Sequence, residues 1–135
     1  MPAPEAVRVA IQRDADIVAA RQRGREMATA AGISGSDLTL IATAISEVAR
    51  NILAYAREGE ILLSVESRDG RCCLQVIAAD EGPGIADVEL AMRDGYSTGK
   101  SLGLGLPGAR RLMDEFDIVS AAGAGTRITM RKWAR

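Results

Sequence analysis

The chain has 135 residues, 17 basic and 18 acidic side chains and no histidine, which excludes a Ser-His-Asp or Cys-His nucleophile, a histidine metal site and a phosphoaccepting histidine. Its length suits one domain built on a single core. A net charge of -1 with only one Trp, two Tyr and one Phe lacks the basic surface and stacking platforms of a nucleic-acid binder.

Proton transfer near neutral pH therefore falls to a carboxylate, Lys, Tyr or Cys. Cys72 and Cys73 are adjacent, so on a strand they point to opposite faces and make a poor disulfide pair. The N-terminus lacks the pattern of a signal peptide, and no stretch approaches the roughly 18 apolar residues that span a bilayer. The expectation is a reduced, cytoplasmic, soluble domain with neither nucleic acid nor membrane as partner.

Residues 6–12 alternate Val7, Val9 and Ile11, which predicts a short half-buried strand. Asp14 is placed to cap a helix that Gly32 ends. A second helix opens at Ser36 or Asp37, its apolar stripe being Leu38, Ile41, Ile45, Val48, Ile52 and Tyr55. The period then changes. Ile61, Leu63 and Val65 alternate, Arg68-Asp69-Gly70-Arg71 supplies a turn, and CCLQVIAA returns as a more buried strand ending at Asp80. From Glu81 to Ser101 the chain reads as a long loop with one helical turn near Val88–Met92, a length typical of functional loops. Pro107 suits the first turn of a helix running through GARRLMDEF. Ile118 and Val119, a turn at Gly123-Ala124-Gly125, then Ile128 and Met130 form a last hairpin. The order β-α-α-β-β-loop-α-β-β predicts an α/β two-layer sandwich, its sheet mixed but mostly antiparallel and its helices on one face.

Three segments could carry chemistry. In ISEVARNI, Glu47 and Asn51 lie about 40° apart on one helix face, beside the apolar stripe. Taken alone they are a solvated helix flank; so placed, they could also activate a hydroxyl and give Mg²⁺ an oxygen ligand. Asp80, Gly82 and Gly84 follow an apolar strand. They are either an ordinary turn or a place where backbone approaches a flat ligand while the aspartate accepts from an exocyclic amine. Finally, Gly103, Gly105 and Gly108 match G-x-G-x-x-G, but no strand precedes them and no βαβ unit follows, so the dinucleotide fold is excluded. Gly99-Lys100-Ser101 lacks the first glycine of a P-loop, since Asp94 stands there. What survives is a glycine-rich run feeding a helix N-terminus, where free amides and the dipole favour a polyphosphate and Lys100 adds a point charge.

In order and spacing, Glu47…Asn51, Asp80-x-Gly82-x-Gly84, Gly103-x-Gly105 and Gly125-Thr126 resemble the ATP-binding boxes of the GHKL superfamily, whose nucleotide fold is the Bergerat sandwich. The resemblance covers nearly the whole chain, as one domain over residues 1–135. DIVAARQRGREMA, TAISEVARNILAYA, DEGPGI, MRDGYSTG, GLGLPGARRLMDEF and KWAR resemble the anti-sigma-factor serine/threonine kinases, in particular the stressosome switch-kinase branch. That resemblance implies ATP and Mg²⁺ as cofactors, Glu47 as the base for the substrate hydroxyl, Asn51 as the Mg²⁺ ligand and Asp80 as the adenine-binding carboxylate. It further implies Gly82, Gly84, Gly103 and Gly105 as the backbone cradle, Thr126 as a support for adenine, and residues 85–102 as a short ATP lid to which Lys100 belongs. The substrates it implies are serines or threonines of STAS-domain stressosome scaffold proteins, with later engagement of a downstream regulator such as a PP2C-type phosphatase. An anti-sigma factor of the same fold that mainly sequesters a sigma subunit is the alternative. Without histidine the domain cannot phosphorylate a histidine of its own, so the acceptor is expected on another protein.

Overall fold

The computed structural model describes residues 6–85, 92 and 105–135. In chain order the elements are β1 (Val7–Ile11), α1 (Asp14–Ala30), α2 (Ser36–Tyr55), β2 (Gly59–Arg68), β3 (Arg71–Asp80), α3 (Gly105–Leu112), β4 (Glu115–Ser120) and β5 (Thr126–Trp133). The strands form a five-stranded sheet in the order β1-β2-β3-β5-β4, and every pairing in it is antiparallel.

The sheet's register explains which face is covered. Val9, Ile61, Ala78 and Ile128 stand side by side across four strands, and Val7, Leu63, Val76 and Met130 form the next row. Because side chains alternate across a strand, both rows point to one face, where α1 and α2 pack against them. Ile61, Leu63, Val76 and Met130 are fully buried there with Ile41, Ile45 and Val48 of α2. Truncating a side chain such as Ile45 to Ala would cost about 2–5 kcal/mol. α1 approaches α2 closely at Gly24, where an added Cβ would lie 2.3 Å from Ile45 Cδ1. The predicted stripe of α2 holds at Ile41, Ile45, Val48 and Ile52, but Tyr55, its last residue, is exposed.

The ends of the elements follow local chemistry. α1 closes in a Schellman arrangement in which Ile33 N–H donates to Ala28 O and Gly32 N–H to Thr29 O, with Gly32 at φ +93. Its start differs from expectation: Arg13, not Asp14, is the N-cap. Asp16 does the capping, its carboxylate accepting from the backbone N–H of Gln12 and Arg13. Asp69 and Gly70 turn the β2–β3 hairpin with positive φ at both positions. The helix expected to run through GARRLMDEF stops at Leu112, and Glu115 and Phe116 belong to β4. Phe116 pairs with Met130 and Ile118 with Ile128, so alternation overrides the helical period. Asp114 fixes the break, its N–H donating to Arg131 O and its carboxylate accepting from Trp133 N–H. Cys73 is buried while Cys72 is half-buried, and both are free thiols. No helix of the described residues is long and apolar enough to cross a membrane.

Candidate active site

Glu47 sits in the middle of α2 but is not a solvated flank: it is only 5% exposed. α3 packs along this side of α2 and covers it. A buried carboxylate must be paired, and both oxygens are. Oε1 accepts from the Arg50 guanidinium at 2.7 Å, and Oε2 accepts from the backbone N–H of Gly105 at 2.8 Å. Gly105 opens α3, so the carboxylate also lies at the positive end of that helix. Asn51, one turn beyond Glu47, is half-buried.

A second cluster forms where β3 and β5 end. Asp80 pairs with Gly59 on one side and Thr126 on the other, and Thr126 in turn faces Ser120. This row continues the helix-facing side of the sheet by two-residue steps. Asp80 Oδ1 accepts from Gly82 N–H at 3.0 Å, an Asx-type turn that starts the following segment. Burial raises the Asp80 carboxyl above its ordinary value, opposed by the N–H groups of Gly82 and Thr126.

Ser120 joins this cluster unannounced by any motif. Its Oγ donates to Gly125 O at 2.8 Å, accepts from Ile85 N–H at 2.7 Å and lies 2.8 Å from Thr126 Oγ1. A carbonyl only accepts, so the Ser120 proton goes to Gly125 and Thr126 is the donor in the hydroxyl pair. Thr126 Oγ1 is left with acceptor capacity only. The signal that could have found Ser120 is its place as the third inward position of β4, after Phe116 and Ile118.

Three of the glycines are required by close approaches within the chain. Gly84 has φ +76, and a Cβ there would lie 1.9 Å from Ala121 O; a Cβ on Gly125 would lie 2.3 Å from Asp80 O. Gly82 meets Ala56, just past α2, at 2.5 Å. These glycines let the segment after β3 and the β4–β5 turn interlock, with Gly123 N–H donating to Pro83 O. The close approach is to their own chain. A cavity of about 680 Å³ borders the cluster, lined among others by Arg8, Glu58, Asp80, Ser120, Thr126 and Arg127.

The structure therefore gathers Asp80, Gly82, Gly84 and Thr126 at one end of α2, and Glu47, Asn51 and Gly105 along its middle. Glu47 and Ala56 are nine residues apart, about 13 Å along the helix axis. Lys100 and Gly103 lie outside the described residues, as do the helical turn expected near Val88 and, apart from Ile85 and Met92, the segment 85–102.

A family model for the histidine kinase-like ATPase domain matches residues 11–132. The chain belongs to the histidine kinase-like ATPase family. It is 50% identical over 127 residues to serine/threonine-protein kinase RsbT of Bacillus subtilis (strain 168), a match covering 94% of this chain and 96% of that one. This places it with the family's serine/threonine protein kinases. It is also 34% identical over 99 residues to the anti-sigma F factor of Caldanaerobacter subterraneus subsp. tengcongensis, covering 69% of this chain and 68% of that one. The RsbU and RsbW domains of Rv1364c from Mycobacterium tuberculosis share the fold, with a TM-score of 0.62 at 23% identity; the match covers 97% of this chain and 32% of that longer one.

The site carries oxygens that suit a nucleotide and its metal. Asp80 and Thr126 present acceptors at a partly buried strand end, as an exocyclic amine requires. Asn51 offers one amide oxygen. Among the described residues no group of three Asp, Glu, Cys or His side chains is placed to hold a metal. A single oxygen ligand suits Mg²⁺ carried by phosphates and water, which is how this ion is commonly held.

Proposed function

We propose that this chain is a cytoplasmic Mg²⁺-ATP-dependent serine/threonine kinase that phosphorylates STAS-domain stressosome proteins and then engages a downstream regulator, such as a PP2C-type phosphatase. The observation that carries this reading is the Glu47 carboxylate, buried between Arg50 and the α3 N-terminus and one helical turn from Asn51. In this reading residues 1–135 are one nucleotide-binding domain with a lid at about 85–102.

ATP is the phosphoryl donor and ADP the leaving group; Mg²⁺, when bound, would neutralise charge on the phosphates. Asp80 and Thr126 would accept from the adenine edge, and Asn51 would contribute an oxygen to the metal. The roughly 13 Å of helix between Ala56 and Glu47 leaves room for the phosphates between an adenine at Asp80 and the Glu47 carboxylate. Glu47 takes the proton of the incoming serine or threonine hydroxyl as its oxygen bonds to phosphorus. Gly103, Gly105 and Lys100 belong to the phosphate side of the same cradle, with Gly82 and Gly84 shaping its adenine side.

The test is incubation with γ-labelled ATP, Mg²⁺ and candidate STAS-domain proteins, followed by mapping of the modified residue. Incorporation at a serine or threonine is expected; no incorporation into any STAS protein overturns the substrate assignment. The anti-sigma F likeness favours a second reading, in which the chain mainly sequesters a sigma subunit. Capture of a sigma subunit with no STAS partner would establish that alternative.

A further inference from the structure

Arg50 has no part in the site described so far beyond its contact with Glu47, and the geometry of that contact is unusual for a pair on one helix. Exposed ion pairs three residues apart add little to a helix. Here the acid end is 5% exposed and the basic end 42%, so the guanidinium reaches from solvent to grip a buried carboxylate at 2.7 Å. The other carboxylate oxygen is taken by Gly105 N–H at 2.8 Å. Two donors thus reach one carboxylate, one from α2 itself and one from the first residue of α3. A glutamate left to itself would sample several rotamers about three torsions; pinned at both oxygens, it keeps one aim. Arg50 is the solvent-reaching member of the pair. A planar guanidinium fixes direction as well as charge, which an ammonium does less well.

We propose that Arg50 is a positioning residue for phosphoryl transfer: it orients the Glu47 carboxylate toward the incoming hydroxyl without itself binding nucleotide. The proposal rests on Glu47 being the base. α2 is anchored independently by Ile41, Ile45, Val48 and Ile52, so removing a half-exposed arginine leaves the helix in place.

The experiment compares Arg50→Met, Arg50→Gln, Arg50→Lys, Glu47→Gln and the double variant Glu47→Gln/Arg50→Met with the wild-type chain. It uses single-turnover transfer from γ-labelled ATP to a STAS-domain protein, with titration of a non-hydrolysable ATP analogue and thermal melts in parallel. Arg50→Met is expected to slow transfer about 10–100-fold, the scale of a misaimed catalytic group, with analogue affinity changed less than about threefold. Arg50→Lys should recover transfer to within about fivefold of wild type, and Arg50→Met should add nothing on the Glu47→Gln background. If Arg50→Met melts early, Arg50→Gln, which keeps two donors without the charge, takes its place in the same comparison.

Three results overturn the proposal alone while Glu47→Gln is slowed but still measurable. They are wild-type transfer by Arg50→Met, the same penalty on both backgrounds, or a tenfold loss of analogue affinity with transfer preserved, which would make Arg50 a phosphate ligand. If Glu47→Gln keeps wild-type transfer, or the wild type transfers to no STAS protein, the assignment of Glu47 fails first and this inference with it.

Discussion

The backbone N–H of Gly105 donates to the side chain of Glu47 across 58 residues of sequence, at 2.8 Å. The bond serves both partners. It gives a buried carboxylate a donor, and it gives α3, only eight residues long, an anion at its positive end. A helix this short is marginal on its own, so its start depends on α2.

Glu47→Ala should therefore lower stability by about 1–3 kcal/mol, because Gly105 N–H and Arg50 both lose their acceptor. Glu47→Gln keeps one accepting oxygen and should cost about 1 kcal/mol or less. Both variants should lose transfer by roughly 10²–10⁴-fold, the usual contribution of a positioned base. Urea melts alongside the phosphotransfer assay separate the two effects; equal melting of Glu47→Ala and wild type would remove the Gly105 contact from the account.

Asp80 links binding to a stability cost. Burial raises its carboxyl, so between its ordinary value and the raised one the folded chain holds more proton than the unfolded chain. The contribution of Asp80 to stability falls as pH rises through that window, and the full penalty applies above it. Asp80→Asn should be at least as stable as wild type at pH 7, with its advantage shrinking as pH falls from the raised value to the ordinary one. ATP affinity should fall about 10–100-fold, as expected for a lost bond to a charged acceptor. Melts at pH 7 and in acid, with an ATP titration, check both halves; a variant that binds ATP normally would refute the adenine role.

Trp133 reports on the end of β5. Its indole N–H donates to Glu115, and that bond, with help from Arg131 and Arg68, lowers the Glu115 carboxyl below its ordinary value. The stabilisation is present above the ordinary carboxylate value and is lost as pH falls through the lowered one. Because Trp133 is the sole tryptophan, its fluorescence should titrate with a midpoint below that of an ordinary glutamate. Glu115→Gln should abolish that transition, and an unchanged curve would exclude Glu115 as its source.

Lys132 occupies an inward position of β5 opposite Leu74 and is 5% exposed. Its ammonium donates to Leu112 O at 2.7 Å, with Asp114 at 3.7 Å and Asp37 at 3.8 Å. Arg135 bridges the same two aspartates. The ends of α3 and β5 are thus tied to the start of α2. Lys132→Met should cost about 1–3 kcal/mol in a urea titration while leaving ATP affinity unchanged below the melt, since none of these groups touches the Glu47 or Asp80 clusters.

Periodic elements were legible in the sequence because their cause is local. The stripe of α2 and the alternation of β2, β3 and β5 come from side chains that must share one apolar face, whatever lies opposite. The helix expected through Met113–Phe116 failed for the same reason seen from outside: Phe116 and Ile118 satisfy a strand period that only β5 makes real. Glu47 read alone as a solvated flank, since nothing near it in sequence says that α3 will cover it. Arg50 and Ser120 carried no motif at all. Their roles depend on groups brought beside them by folding, with Ile85 standing 35 residues from Ser120.

By itself, then, the sequence determined the class of chemistry. Without histidine, proton transfer falls to a carboxylate, Lys, Tyr or Cys, and the order of Glu47, Asn51, Asp80, Gly105 and Thr126 marks an ATPase-type domain. Tertiary structure decided how those groups are held. It buried Glu47, took up both its oxygens and interlocked Gly84 and Gly125 with backbone across the turn. It also spent the hydroxyl proton of Thr126 on Ser120. Residue type sets which proton or lone pair a group owns; only packing decides which neighbour receives it.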